Sequence, residues 1–230
     1  MPLRHNLLAL AIATVWGLTF VSIKLALVTV PPFALSGWRF FMAAVPLVFF
    51  VGRPQVPWRW LVIYALFIAV GQFAVMFIAL NMGMPAGLMS LVVQTQVFFT
   101  IGMAMWISRE RVQGFQVVAL LLAASGIILI AAHGGGSATP LGVILVLLAA
   151  ASWSAGNIVA RQAGAVNMLG YVVWASLFSI PPLFLMSLWL EGWPAIVQGV
   201  TAATPWTWAA VAWQAVGNTM FGYAAWGWLL

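Results

Sequence analysis

Apolar residues run through this chain in long stretches, interrupted by short breaks rather than by alternating polar faces. A helical membrane span needs roughly 20 mostly apolar residues. On that rule the chain reads as eight spans, near 6–28, 33–51, 59–80, 84–106, 112–132, 139–161, 168–190 and 206–228. The breaks carry turn chemistry: Pro31-Pro32, Gly52-Arg53-Pro54, Gly83-Met84-Pro85, Ser108 to Arg111, and the glycines 134–136. Most connections are too short to hold a domain. The expectation is an all-α integral membrane protein, with residues 1–230 forming one membrane domain.

The spans are not independent of one another. The stretch from Trp16 to Lys24 is echoed from Trp153 to Arg161, with Trp16 falling on Trp153, Val21 on Ile158 and the cation Lys24 on the cation Arg161. In the following span Trp38 falls on Trp174 and Pro46 on Pro182. Farther on, Gly71-Gln72 matches Gly217-Asn218, and Phe77 falls on Tyr223. The second copy begins five spans after the first, an odd number, so the copies enter the membrane in opposite directions. The pattern predicts an inverted repeat of five-helix units, the first over 1–133 and the second, incomplete, over 138–230. Transporters use this arrangement to interconvert oppositely facing states. The fourth and fifth spans have no counterparts, so the repeat implies a ten-helix plan of which eight are present. A genuine eight-helix protein is the alternative.

Composition agrees with the pattern. The chain is 65% hydrophobic and 4% charged, where soluble domains carry about 25% charged residues. It has no cysteine, which excludes a disulfide framework, a thiolate metal site and haem attachment. His5 and His133 are too few and too far apart for a metal cluster, and no cofactor is expected. The net charge of +6 comes from basic residues scattered singly through apolar sequence, which suits membrane orientation and not nucleic acid. Arg4 and His5 precede an apolar run longer than the h-region of a signal peptide, so it reads as an uncleaved first span. Arg4, Arg53, Arg59, Arg109, Arg111 and Arg161 fall on one set of connections, while those near 29–32, 81–84, 133–138 and 191–205 have no Lys or Arg. The positive-inside rule then makes the N-terminus cytoplasmic.

Polar residues inside a membrane are costly, so each is a candidate for function. Lys24 lies at the end of its span, either snorkelling to the interface or serving a site. Arg39 sits deeper, at a position that favours an internal polar cavity. Gln72, Asn81, Ser90, Gln94, Thr95, Gln96 and Thr100 form the densest neutral set, suited either to binding a substrate or to interhelical hydrogen bonds. Gln94 and Gln96 point in different directions on a helix, so at most one of them faces a central cavity. Asn157, Asn218 and Tyr223 are their equivalents in the second copy. Trp16 and Trp153, both mid-span, line a cavity or pack a core; Trp58, Trp60, Trp193, Trp206 and Trp208 stand where interfacial tryptophans stand. The only acids, Glu110 and Glu191, lie at span ends. No carboxylate pair, catalytic triad or phosphate loop is present, so an enzyme is not expected.

Three stretches together carry a family resemblance: Trp16-Gly-Leu-Thr-Phe-Val-Ser-Ile-Lys24, Trp38-Arg39-Phe40, and Asn81-Met-Gly-Met-Pro-Ala-Gly-Leu-Met-Ser-Leu-Val-Val-Gln94-Thr-Gln96. They resemble the EamA family of the drug/metabolite transporter superfamily, most nearly its bacterial amino-acid metabolite exporters of the cysteine/O-acetylserine type. Gly156-Asn157-Ile158 and Gly222-Tyr223-Ala-Ala-Trp226-Gly227 fit the second half. Thr19 departs from the pattern at a position that is often Asn. The resemblance implies a multi-pass exporter in a bacterial inner membrane, working by alternating access on a small amino-acid metabolite, with the repeats enclosing a central cavity. In that cavity Lys24 or Arg39 would neutralise a carboxylate. Trp16, Thr19, Gln72, Asn81, Gln94, Trp153, Asn157, Asn218 and Tyr223 would complete the site. A drug or other metabolite carrier of the same fold, or a membrane protein that transports nothing, are the alternatives. With no mid-membrane Asp, Glu or His to relay a proton, efflux is expected to follow the substrate's own gradient.

Overall fold

The computed structural model describes residues 3–108, 114–133, 139–164 and 166–229. Arg109, Glu110, Arg111 and the glycines 134–136 lie outside them. Among the described residues there is no strand. The helices are α1 (Leu3–Ala26), α2 (Pro32–Ala44), α3 (Trp58–Ala65), α4 (Val75–Asn81), α5 (Ala86–Val92), α6 (Gln96–Ser108), α7 (Gly114–His133), α8 (Pro140–Gln162), α9 (Met168–Leu190), α10 (Trp193–Ala202), α11 (Pro205–Trp213) and α12 (Ala224–Leu229). A π-helical stretch, Leu66–Ala74, joins α3 to α4, and a second, Gln214–Tyr223, joins α11 to α12. A short 3₁₀ turn, Val93–Thr95, links α5 to α6.

Five helices among the described residues are long and apolar enough to cross a membrane: Leu3–Ala26, Trp58–Asn81, Gly87–Ile107, Pro140–Gln162 and Met168–Leu190. The second apolar stretch differs from its reading over 33–51. Its α-helix ends at Ala44, and irregular turns follow to Phe50. Pro46 lacks an N–H and crowds the preceding turn, which is enough to end a short helix. Its match Pro182 does not have that effect, since α9 runs through Pro181 and Pro182. The connection read over 191–205 also differs, because it contains α10. Gly192 at φ 82° turns the chain out of α9, and Pro194 opens the new helix.

The chain divides into two compact units, Met1–Ala69 with Ala160–Leu230, and Val70–Val159. In the first, α2 and α9 form the most extensive pairing, α1 packs on α11 and on the π stretch that follows it, and α3 packs on α9. Gly37 permits the α2–α9 approach, since a Cβ there would lie 2.9 Å from the Phe184 ring. The start of α3 sits at the N-terminal end of α9, where Trp58 packs on Trp174 at 5.9 Å and Tyr171 Oη donates to the Trp60 carbonyl at 3.1 Å. The start of α11 sits beside α2, where Trp208 meets Trp38 at 5.5 Å and Thr207 Oγ1 meets Thr29 Oγ1 at 3.3 Å. Ala26, Val30, Ala34, Leu35, Ile196, Ala210 and Val211 form one core of this unit. In the second unit, Met76, Ala79, Met84, Met89 and Val93 pack with Val146, Ala149 and Ala150. Ser154, fully buried on α8, stitches this unit together. Its hydroxyl accepts from Thr100 Oγ1 at 3.0 Å and lies 2.8 Å from the Gln96 carbonyl.

Candidate functional site

A buried cation and a phenol of the first unit meet where α2 packs on the π stretch Gln214–Tyr223. Arg39, on α2, is only 1% exposed, and its Nη2 donates to Tyr223 Oη at 3.0 Å. The guanidinium also lies 4.5 Å from the Phe40 ring centre and 5.9 Å from that of Tyr223, within reach of the ring faces. Trp16, half-buried on α1, closes the group, edge-on to Tyr223 at 6.4 Å and tilted against Trp226 at 5.6 Å. The fit is close. A Cβ at position 222 would collide with the Trp16 indole nitrogen, so glycine is required there. Tyr64 and Tyr171 stand edge-to-face at 5.1 Å in the same unit.

The π stretch explains how so many polar groups share one helix segment. A widened helix brings residues five apart onto one face, and such segments recur at functional sites. Thr219 Oγ1 shows this spacing, donating to the Gln214 carbonyl five residues back at 3.1 Å. Gln214, Asn218, Thr219 and Tyr223 are all buried. Gln214 is 1% exposed, and among the described residues its amide nitrogen and the indole N–H of Trp226 have no hydrogen-bond partner. A buried donor left unmade costs about 1–3 kcal/mol.

The other candidates fall into three groups. Thr19 is buried on α1, three residues from Trp16, and spends its hydroxyl on the Val15 carbonyl at 2.9 Å. Gln72, Trp153 and Asn157 are buried in the second unit, and the Gln72 side-chain carbonyl has no partner among the described residues. Lys24, in the last turn of α1, Asn81 and Gln94 are exposed. Of the remaining neutral set, Ser90 and Thr95 donate to helix carbonyls three residues back, at Gly87 and Val92, and Thr100 is taken by Ser154. Of these only the Thr100 bond joins two helices. Gln214 and Trp226 were not singled out by the repeat. A polar residue four positions before Asn218 in an apolar run was the available signal for Gln214.

Five helices among the described residues that are long and apolar enough to cross a membrane make this a multi-pass membrane protein, and its first unit buries a guanidinium against a phenol among aromatic rings. The comparisons with known proteins narrow that class. The EamA-like transporter family model matches residues 3–132, and the chain belongs to this family of transporters. It is 39% identical, over its whole length and 79% of the relative's, to a probable amino-acid metabolite efflux pump of Escherichia coli (strain K12). It is 40% identical, over the same shares, to the protein of that description in Salmonella typhimurium. An uncharacterized transporter of Bacillus subtilis, YoaV, is 23% identical over 96% of the chain and 77% of its own length.

Proposed function

We propose that the chain exports small amino-acid metabolites of the cysteine/O-acetylserine type across a bacterial inner membrane by alternating access. The observation that carries this reading is the Arg39–Tyr223 pair, buried at 3.0 Å among aromatic rings. Arg remains charged in proteins and presents a planar fork of donors that matches a carboxylate. A phenol that accepts from it still carries an O–H of its own to donate. Together they suit the carboxylate of a zwitterion, while Trp16, Thr19, Gln214 and Asn218 of the same unit supply aromatic and amide surface. Lys24, in the last turn of α1, would then serve the substrate's path. The names of the enterobacterial relatives support an amino-acid metabolite as the cargo class.

The inverted repeat belongs to the same proposal, as do eight membrane-crossing segments in one membrane domain and a cytoplasmic N-terminus. Three features support the repeat: the π stretches at corresponding places, a tryptophan contact at each helix start, Trp38–Trp208 and Trp174–Trp58, and the placing of the α3 start at the N-terminal end of α9 and of the α11 start beside α2. Transport is driven by the substrate's own gradient, since the charged group at the site is an arginine, which does not exchange protons in the accessible range.

The test is efflux of labelled O-acetylserine from cells expressing the chain, with Arg39→Gln beside it. Hydrogen bonds to charged groups contribute about 1.5–3 kcal/mol, so the variant is expected to lose roughly tenfold or more of the transport rate at equal inserted protein. Normal efflux by Arg39→Gln would reassign the guanidinium to a structural contact.

A further inference from the structure

Glu191 accepts three hydrogen bonds, two from α2 and one from its own helix. It follows the last residue of α9, and its side chain crosses to the first turn of α2. Oε1 accepts from the Phe33 amide at 2.6 Å and Oε2 from the Ala34 amide at 3.1 Å, while Ser187 Oγ donates to Oε2 at 2.6 Å. The reason lies in the sequence of α2. That helix opens on Pro31-Pro32, and its N-cap offers no side-chain acceptor. Phe33 and Ala34 are nonetheless fully buried, so their orphan amides need an acceptor from elsewhere. A carboxylate also meets the positive end of the helix dipole there.

The same helix carries Arg39, five residues beyond Ala34. At about 1.5 Å per residue, the guanidinium's helix position lies roughly 7–8 Å along the axis from the clamp. α9 also holds α2 through Phe184 against Gly37, and holds the turns that follow α2 through Trp174 Nε1, which donates to the Val51 carbonyl at 3.0 Å. The height at which Arg39 meets Tyr223 is therefore set by α9. Of these three holds, only the one at Glu191 grips the backbone of α2 through a charge.

We propose that Glu191 is a positioning residue for the substrate-binding cation. It fixes the axial setting of α2, and so the place of the Arg39 guanidinium against Tyr223, without touching the substrate. The proposal rests on reading Arg39 as the group that meets the substrate carboxylate. It assigns to the chain's second half a residue that governs binding in the first.

The experiment uses the full chain in proteoliposomes, with labelled O-acetylserine as the probe and hydrogen exchange read at the Phe33 and Ala34 amides. Glu191→Ala is expected to speed exchange at those two amides by about tenfold or more, the loss of charge-assisted bonds. It is also expected to raise KM for O-acetylserine several-fold while changing kcat less. Glu191→Gln, which keeps one carbonyl acceptor, recovers part of both effects, and Ser187→Ala shows a small shift of the same sign. If Glu191→Ala does not insert, the order wild type, Ser187→Ala, Glu191→Gln carries the same test. Unchanged exchange would remove the clamp. Faster exchange with an unchanged KM would leave Glu191 a helix cap alone and overturn the positioning role. A wild-type chain that moves no O-acetylserine would overturn the reading of Arg39 and the positioning role with it, and exchange would then report on the clamp alone.

Discussion

The helices Trp58–Asn81 and Pro205–Leu229 pass through the same series of turns. Each begins with an α-helical segment of 8 or 9 residues, widens into a π stretch of 9 or 10, and closes with an α-helical segment of 7 or 6. Each start is pinned by a tryptophan, Trp58 against Trp174 and Trp208 against Trp38. Their contents differ. The first π stretch, Leu66–Ala74, has Gln72 as its one polar side chain, whereas Gln214–Tyr223 holds Gln214, Asn218, Thr219 and Tyr223. Their starts differ too: Pro57 offers no cap to the first, while Thr204 and Thr207 form a reciprocal capping box at the second. The two helices thus share a backbone course while the buried polar groups are concentrated in one of them.

The sharpest way to break this comparison is to exchange the residues that fall on one another, Tyr223 and Phe77. Tyr223→Phe removes the acceptor that meets Arg39, a bond to a charged group contributing about 1.5–3 kcal/mol, so O-acetylserine transport is expected to fall roughly tenfold or more. Phe77→Tyr, tested alone or added to Tyr223→Phe, is expected to restore nothing. Restoration by the double variant would make the two helices chemically equivalent.

Glycine substitution is expected to act on stability. Gly222→Ala drives a methyl into the Trp16 indole, and overpacking of this kind costs about 1–3 kcal/mol. Gly17→Ala, with nothing within 4 Å of the new methyl, is expected to leave the melting temperature unchanged or raise it. Equal melting in detergent would show that the aromatic group around Tyr223 is loosely packed.

The smallest effect separates the two buried amides. Gln214→Leu and Gln72→Leu each remove an atom without a hydrogen-bond partner, so each is expected to be neutral or to stabilise by about 1 kcal/mol. Only Gln214→Leu, beside Asn218 and on the helix of Tyr223, is expected to weaken binding of the probe, read as a higher KM. The reverse order would move the site toward Gln72.

Much of the helical layout was legible in the sequence because long apolar runs have few alternatives in a membrane. Arg39 was legible because a cation within an apolar span is costly. Tyr223 was legible because it fell on Phe77 in a repeated register. Helix ends were less legible: Val45–Val51 is as apolar as the helix before it, so only the proline marks where α2 stops. The exposed sides of Lys24, Asn81 and Gln94 could not be read from periodicity, because lipid-facing and core-facing residues have nearly the same composition. The Glu191 clamp joins residues 158 positions apart, and no local pattern announces such a contact.

The central claim is that the two broken helices begin on opposite faces of the membrane. The chain has no cysteine, so a single one introduced at Gln55, ahead of α3, or at Ala202, ahead of α11, is unique, and both positions are exposed. A membrane-impermeant maleimide applied to intact spheroplasts should label Ala202→Cys and spare Gln55→Cys, which reacts only when the membrane is opened. Labelling of both from the same side would contradict the account.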